Sequence, residues 1–201
     1  MQSQIIGLMD AIKINGQLRT DLSKQANNAL RSNGMIPAVV YGGTETLHIA
    51  VSAREMRPLI YTPEFKKALI DINGTSYECI IQDSQFSVID DECIHIDFLQ
   101  LTEGKSVVVD IPVKFVGTSK GVRAGGKLIP RLRKLKVSAL PSAMRPYLEV
   151  NVEDLDLGKH IRVRDINFDG INIVTAAANP IVSALVTRQL KQAEAEAKAK
   201  K

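Results

Sequence analysis

The feature that most constrains the fold is a pair of apolar runs joined by Asn73-Gly74, in the stretch ALIDINGTSYECIIQD at 68–83. Asn-Gly favours the two-residue turn whose twist suits antiparallel strands, so this stretch predicts a β-hairpin. Short apolar runs separated by Gly, Pro, Asn or Asp continue along most of the chain. Aromatic residues make up only 4% of it, so burial must come from Ile, Val, Leu and Ala, and a mainly β fold is expected.

Other short elements are predicted on either side of the hairpin. Ser23 is a helix-capping residue, and Asn33-Gly34 is a stop signal for the helix that it begins. Asn15-Gly16 is predicted to form a turn after an opening strand. The predicted elements are strands over 5–14, 38–41 and 47–52, a helix over 24–32 and one or two helical turns over 53–59.

The stretch DECIHIDFLQL at 91–101 alternates as a half-buried strand does. A period of two sorts its side chains onto two faces. Ile94, Ile96 and Phe98 form an apolar face, while Cys93, His95 and Asp97 form the other. Burial of the apolar face would leave His95 and Asp97 together at the surface.

The second half predicts a separate β-rich, sandwich-like domain. Its short strands follow one another between Gly, Pro or Asp signals, which is typical of a small sheet or sandwich. The final segment is rich in Ala, Glu and Lys without an apolar face, so it is predicted to be a solvated helix or a disordered tail. The predicted domains are 1–101, 102–187 and a charged tail at 188–201.

Charge is distributed unevenly between the halves. Residues 1–100 carry eight Lys or Arg against twelve Asp or Glu, and residues 101–201 carry eighteen against ten. Nine basic residues lie within 114–145 without an acidic one among them. Basic excess attracts a polyanion, so charge alone would assign nucleic acid to the second half. A solvated basic face is the alternative interpretation of this stretch.

Motifs for catalysis, cofactors and metals are not found in the sequence. It lacks a nucleotide-binding glycine loop, and its three histidines are not at ligand spacing to one another. The segment VRAGGKL at 122–128 is interpreted as a mobile basic loop, and Asp90-Asp91-Glu92 as a solvated turn. Cys79 and Cys93 form no pair motif, so they are predicted to be reduced thiols. Because catalytic motifs are not found, the protein is predicted to be non-catalytic. Neither a signal peptide nor a membrane span is recognised, which predicts a cytoplasmic location.

Two motifs in the first half carry a resemblance to a known family. The pattern LR..G.IPAVVYGG at 30–43 and the motif HIDF at 95–98 resemble the bacterial large-ribosomal-subunit protein number twenty-five. In the second half GVRAGGKL, RKLKVSALP and LEVNVEDLDLGKHIRVRDI resemble the C-terminal domain of that family's long form, which includes the general stress protein CTC.

The resemblance implies a small β-barrel with short helices at residues 1–101 that binds 5S ribosomal RNA. The family's contact positions are a basic residue after the first strand, basic residues on the next helix, the YG corner and the HxDF strand. In this sequence they fall on Arg19, Lys24, Arg31, Tyr41, Gly42, His95 and Asp97. Duplex RNA is bound through shape, phosphates and 2′-hydroxyls, which suits a fixed set of donors and acceptors. A neutral His95 is expected to donate to RNA, and Asp97 to accept from a base or 2′-hydroxyl or to orient a donor.

The chain departs from the family pattern at three positions. Ser23 replaces a frequent glycine, and Asn28 and Ala29 replace frequent arginines, so phosphate attraction is expected to be weaker. The resemblance implies a monomer within the ribosome that contacts other large-subunit proteins, with 23S rRNA as a further contact. The alternative is a stress-related interaction protein whose basic second domain binds another ribosomal or protein partner.

Overall fold

The computed structural model describes residues 11–187, and in that range the chain is mainly β, as predicted. The described chain divides into two compact units. One unit runs to Val107 and also includes Leu140–Pro146; the other comprises Val108–Ala139 and the chain from Tyr147 onward. The assignment of 1–101 and 102–187 as functional domains remains a prediction. The predicted tail at 188–201 lies outside the described residues, as does the first part of the strand predicted at 5–14.

Six strands of the first unit close into a barrel, in the order β1-β3-β2-β6-β5-β4. β1 pairs in parallel with β4, and β2 in parallel with β6, while the other neighbours are antiparallel. Side chains that alternate inward, among them Ile14, Ile49, Ile70 and Phe98, form its core. The strands are β1 (Ala11–Leu18), β2 (Met35–Tyr41), β3 (Leu47–Ser52), β4 (Lys67–Ile72), β5 (Thr75–Phe86) and β6 (Cys93–Gln100).

Two helices complete this unit, α1 (Lys24–Ser32) and α2 (Ala53–Ile60). The Ser23 hydroxyl caps α1 by accepting from the Ala26 N–H at 3.2 Å, so the predicted helix start is confirmed. At the other end the Asn33 N–H donates to the Ala29 carbonyl at 3.1 Å. The chain then turns through Gly34 into β2. α1 therefore connects two strands, β1 and β2, that both pair with β3.

The two Asn-Gly signals have different outcomes. Asn73 and Gly74 both have positive φ, 53° and 86°, and join β4 to β5 in the predicted hairpin. Asn15-Gly16 is not a turn, because β1 runs straight through it. A Cβ at Gly16 would lie 3.1 Å from Ile70 and 3.2 Å from Ile72, so this glycine permits close packing inside the barrel. The Asn15 N–H donates to a Glu55 carboxylate at 3.0 Å.

The second unit contains two sheets, ordered β10-β7-β9-β12 and β11-β13-β8. Buried residues from both, including Val150 of β10 and Val182 of β13, form a single cluster. The segment predicted to be a mobile loop at 122–128 instead contains the end of α3, a turn and the start of β8. The elements are β7 (Val107–Val116), α3 (Lys120–Arg123), β8 (Lys127–Pro130), β9 (Lys134–Ala139), β10 (Leu148–Asn151), β11 (His160–Arg162), a 3-10 turn (Val163–Asp165), β12 (Ile171–Ile173) and β13 (Pro180–Leu185).

Candidate nucleic-acid interface

The outer face of β6 carries the pair predicted from the HIDF motif. Ile96 and Phe98 are fully buried in the barrel core, whereas the His95 and Asp97 side chains stay 29% and 34% exposed. His95 Nδ1 lies 2.9 Å from Asp97 Oδ1. The predicted alternation therefore holds from His95 to Phe98, and it places the two polar side chains in contact with each other on the surface.

The alternation fails at the start of β6. Cys93, predicted on the outer face, is buried, and Ile94, predicted to be in the core, is only half-buried. The pairing with β5 moves from Gln85↔His95 to Phe86↔Cys93, which leaves Ile94 as an extra, bulged residue. A bulge changes which side chains point inward, and it frees a backbone carbonyl from the ladder. A second register shift on β5, between Ile81 and Asp83, flanks the same stretch at its other end.

Arg31 holds the carbonyl at this bulge. Its Nε and Nη2 both donate to the Ile94 carbonyl, at 3.2 and 3.1 Å, and Nη1 lies 3.5 Å from the Asn28 amide oxygen. The guanidinium thus ties the end of α1 to β6 directly before His95. An arginine carries five N–H donors, so donors remain for a ligand after these contacts. The resemblance implies that Arg31 contacts RNA, and the structure adds an intramolecular role.

Tyr41 ends β2, which lies next to β6 in the barrel, and its Cα pairs with that of Leu99. Partial burial, with the charges of Asp97 and Asp83, raises the pKa of Tyr41. Its hydroxyl therefore stays protonated at neutral pH, able both to donate and to accept. Strand pairing places Tyr41 two residues along β2 from Val39, the partner of Asp97.

Backbone conformation and packing within the barrel both favour glycine at position 42. Its φ is +94°, and an added Cβ would lie 2.5 Å from Cδ1 of Leu99. The resemblance implies that Gly42 is a position of RNA contact. The structure supplies a separate reason for glycine, since the corner must pass closely over β6. A contact between Gly42 and RNA stays a prediction.

The remaining predicted residues lie on or beside α1. Arg19 follows β1; its backbone N–H donates to the His48 carbonyl at 2.9 Å, and its guanidinium donates to the Asn27 side chain. Lys24 and Arg31 are both exposed and seven residues apart, which places them on one face about 10 Å apart along the helix axis. Asn28 lies between them on that face. The position where the family often has arginine is thus on the predicted RNA side.

The contact with Asp97 bears on the predicted chemistry of His95. A carboxylate only accepts, so a proton shared in the His95–Asp97 contact would belong to Nδ1. A neutral imidazole with its proton on Nδ1 presents Nε2 as an acceptor rather than as the donor of the sequence interpretation, and the role of His95 toward RNA stays a prediction. Of the two roles predicted for Asp97, orientation of its neighbour is the one that the 2.9 Å contact favours.

Two residues near this face are not found by the sequence reasoning. Asp83 of β5 pairs directly with Asp97, which adds a second carboxylate beside the predicted site. Arg57 of α2 lines a hollow of about 440 Å³ together with Arg31. No local pattern signals either residue, because strand register and helix packing bring them there.

The described residues show neither a metal-binding group nor a reactive thiol. Residues 11–187 contain no cluster of three or more His, Cys, Asp or Glu side chains placed to hold a metal. Cys79 and Cys93 are free thiols in the barrel core. Burial raises the pKa of Cys93, and that of Cys79 to about 12, so both stay protonated at neutral pH. No helix in the described range is long and apolar enough to span a membrane.

Comparisons with known proteins agree with this architecture. The Ribosomal L25p family model matches residues 14–98, and the model of the ribosomal protein TL5 C-terminal domain matches residues 106–188. Large ribosomal subunit protein bL25 of Porphyromonas gingivalis is 40% identical over 182 residues, covering 90% of this chain and 95% of the relative. The proteins of the same name from Bacteroides thetaiotaomicron and Amoebophilus asiaticus are 36% and 37% identical, covering 94% and 96% of this chain and 99% and 100% of the relatives.

These matches define a protein of the large ribosomal subunit. The chain belongs to the Ribosomal L25p family, in a form that also carries a TL5-type C-terminal domain. The resemblance drawn from the sequence motifs is thereby confirmed in both halves. The predicted cytoplasmic location, on the ribosome, is confirmed with it.

Proposed function

We propose that the barrel binds 5S ribosomal RNA through the face formed by α1, the end of β2 and the outer side of β6. The observation that carries the proposal is the convergence of Arg31, His95 and Asp97. The Arg31 guanidinium donates two hydrogen bonds to the Ile94 carbonyl, immediately before the His95–Asp97 pair. Residues 63 positions apart in the chain, Arg31 and Ile94, are thus held together beside the His95–Asp97 pair.

The arrangement separates acceptors from cations. At its centre are the Asp97 carboxylate and Nε2 of His95, both acceptors, with the Tyr41 hydroxyl nearby. At its side α1 presents Lys24 and Arg31. The minor groove of duplex RNA offers 2′-hydroxyl and amino donors between two phosphate backbones. Central acceptors therefore suit the groove, and lateral cations suit a phosphate backbone.

Each predicted residue has a separate task in this interface. Arg19, Lys24 and Arg31 attract phosphates. His95 accepts a hydrogen bond at Nε2, and Asp97 fixes its ring and accepts with its free oxygen. Tyr41 lays its ring edge and hydroxyl against ribose, and Gly42 keeps the corner close to β6.

The test is titration of the full chain and its variants against 5S rRNA. We expect His95→Ala and Tyr41→Ala each to weaken binding by about 1 to 3 kcal/mol, as for loss of a hydrogen bond to a charged group or of an aromatic contact. Asp97→Asn should weaken binding through His95, because the amide can present N–H instead of an acceptor to Nδ1. The Asn variant is nearly isosteric, so it separates orientation from packing.

His160→Ala is the control, since His160 is a histidine of the other unit, on β11. It should leave RNA affinity unchanged, and thermal unfolding should show that every variant retains its fold. Unchanged affinity in both His95→Ala and Tyr41→Ala would refute the proposed face.

A second candidate function concerns the other unit. Arg131, Arg133 and Lys134 are exposed in the turn before β9 and at its first residue, which favours a separate contact with another ribosomal or protein partner. Not all of the basic stretch is uncompensated, because Lys120 pairs with Asp154 at 2.8 Å. If these residues bind RNA instead, their neutralisation will weaken the 5S complex.

A further inference from the structure

The β5–β6 connection carries an apolar surface with no use in RNA binding. We propose that this hairpin tip, residues Phe86 to Glu92, docks on a basic protein surface of the large ribosomal subunit. The inference rests on membership in a large-subunit protein family and does not depend on the proposed 5S rRNA contact.

Two aliphatic side chains stand almost completely in solvent at the tip. Val88 is 97% exposed and Ile89 is 90% exposed. Phe86, at the end of β5, and Tyr61, directly after α2, are also exposed, and their rings meet edge to face with centroids 6.4 Å apart. Single exposed apolar residues are ordinary, whereas several at one projecting turn are typical of an interaction site.

The tip is held in one conformation. The Ser87 N–H donates to the Glu92 carbonyl at 2.8 Å and closes the turn. The Tyr61 hydroxyl donates to the Asp91 carbonyl at 3.3 Å, so α2 supports the turn from the side. A surface that is already ordered loses less conformational entropy on binding, which favours a specific contact over a general stickiness.

Charge at the tip argues against RNA as its occupant. Asp90, Asp91 and Glu92 follow the two aliphatic residues directly, and the 37 residues at 68–104 contain eight Asp or Glu and no Lys or Arg. The hollow beside the turn is lined by only one of these carboxylates, Glu92, and by two cations, Arg31 and Arg57, so the acidic excess belongs to the turn itself. The acidic excess of residues 68–104 repels phosphates.

A basic protein satisfies both features of the tip. Its apolar side chains can cover Val88 and Ile89, while its Lys or Arg side chains pair with the carboxylates around them. The tip begins one ladder pair beyond His95, since Phe86 pairs with Cys93 and Gln85 with His95. The partner would therefore lie beside the RNA and contact the same barrel at a different place.

The experiment uses the full chain and large subunits from cells that lack this protein. Val88→Ser combined with Ile89→Ser should weaken binding to the subunits by about tenfold or more, as for loss of two buried aliphatic contacts. The same variant should bind free 5S rRNA as the wild type does. Val174→Ser is the matched control because Val174 is also exposed, at 53%, and it should change neither affinity.

A photoreactive benzoylphenylalanine in place of Val88 then identifies the neighbour. A cross-link to a basic large-subunit protein supports the proposal. Cross-links to rRNA alone, or none, overturn it, as does unchanged subunit affinity of the double variant. A parallel loss of free 5S rRNA affinity would also overturn it, since the tip would then act through the RNA face. Failure of the proposed RNA face is recognised separately, from the His95 and Tyr41 variants.

Discussion

The two units of the molecule differ in net charge and in the contacts that their charged side chains make. The first half of the chain is net acidic, yet in it Arg31 donates to the Ile94 carbonyl directly before His95, which lies 2.9 Å from Asp97. The second half is net basic, but Lys120 is paired with Asp154 and Lys114 lies 4.6 Å over the Tyr147 ring. The difference teaches that net charge and side-chain geometry point to different halves of the molecule, and the proposed RNA face follows the geometry.

The largest effect is expected where backbone geometry supports the barrel face. Gly42→Ala should lower the free energy of unfolding by about 2 to 3 kcal/mol, because positive φ strains alanine and Leu99 must move. Gly74→Ala is the matched control, with φ +86° but nothing within 4 Å of an added Cβ. It should lose only about 1 kcal/mol in urea unfolding. Equal losses would show that contact with β6 does not constrain the corner.

A smaller effect compares the two units directly. Arg31→Gln in the full chain should weaken 5S rRNA binding by about 1 to 2 kcal/mol and lower the salt slope by about one. The triple variant Arg131→Gln, Arg133→Gln and Lys134→Gln removes more charge from the other unit, and its affinity should stay within about threefold of wild type. Titrations at two salt concentrations measure both. The comparison is reversed if the triple variant loses more affinity than Arg31→Gln.

The smallest effect concerns the exposed ion pair of the second unit. Hydrogen bonding and the charge of Asp154 raise the pKa of Lys120. Any stabilisation is therefore present below the ordinary lysine pKa and is lost as the pH rises through the raised value. Because both side chains are mostly in solvent, Lys120→Met should shift the thermal midpoint at neutral pH by less than about 1 °C. A clear drop would show that the pair anchors α3.

Local signals predicted a large part of this fold. The Asn73-Gly74 hairpin, the Ser23 cap and the alternation from His95 to Phe98 each depend on neighbours within a few residues. Asn15-Gly16 is the counterexample, since its turn propensity is overridden by Glu55 and by packing against the barrel core. Residues far along the chain cause β1 to continue through Asn15-Gly16, so the local sequence pattern could not predict it.

The candidate site likewise has a part that the sequence predicts and a part that it does not. Its seven residues came from the family resemblance, but the contacts that organise them did not. The bulge at Ile94 depends on how β5 pairs with β6. The hydrogen bonds from Arg31 to the Ile94 carbonyl depend in turn on the bulge. Asp83 joins the face only because of strand register. A motif identifies residue types, whereas pairing decides what each one can donate or accept.

The inclusion of Leu140–Pro146 in the first unit has a consequence for biosynthesis. The Phe65 N–H donates to the Pro146 carbonyl at 2.9 Å, and Met144 is buried, so the first unit is completed by residues translated after all of Val108–Ala139. Its final native contacts must therefore form late in synthesis, although domains generally fold in order from the N-terminus. A nascent chain halted before residue 140 would contain all six barrel strands but lack the contacts made by Leu140–Pro146, and protease sensitivity of such stalled chains would reveal the difference.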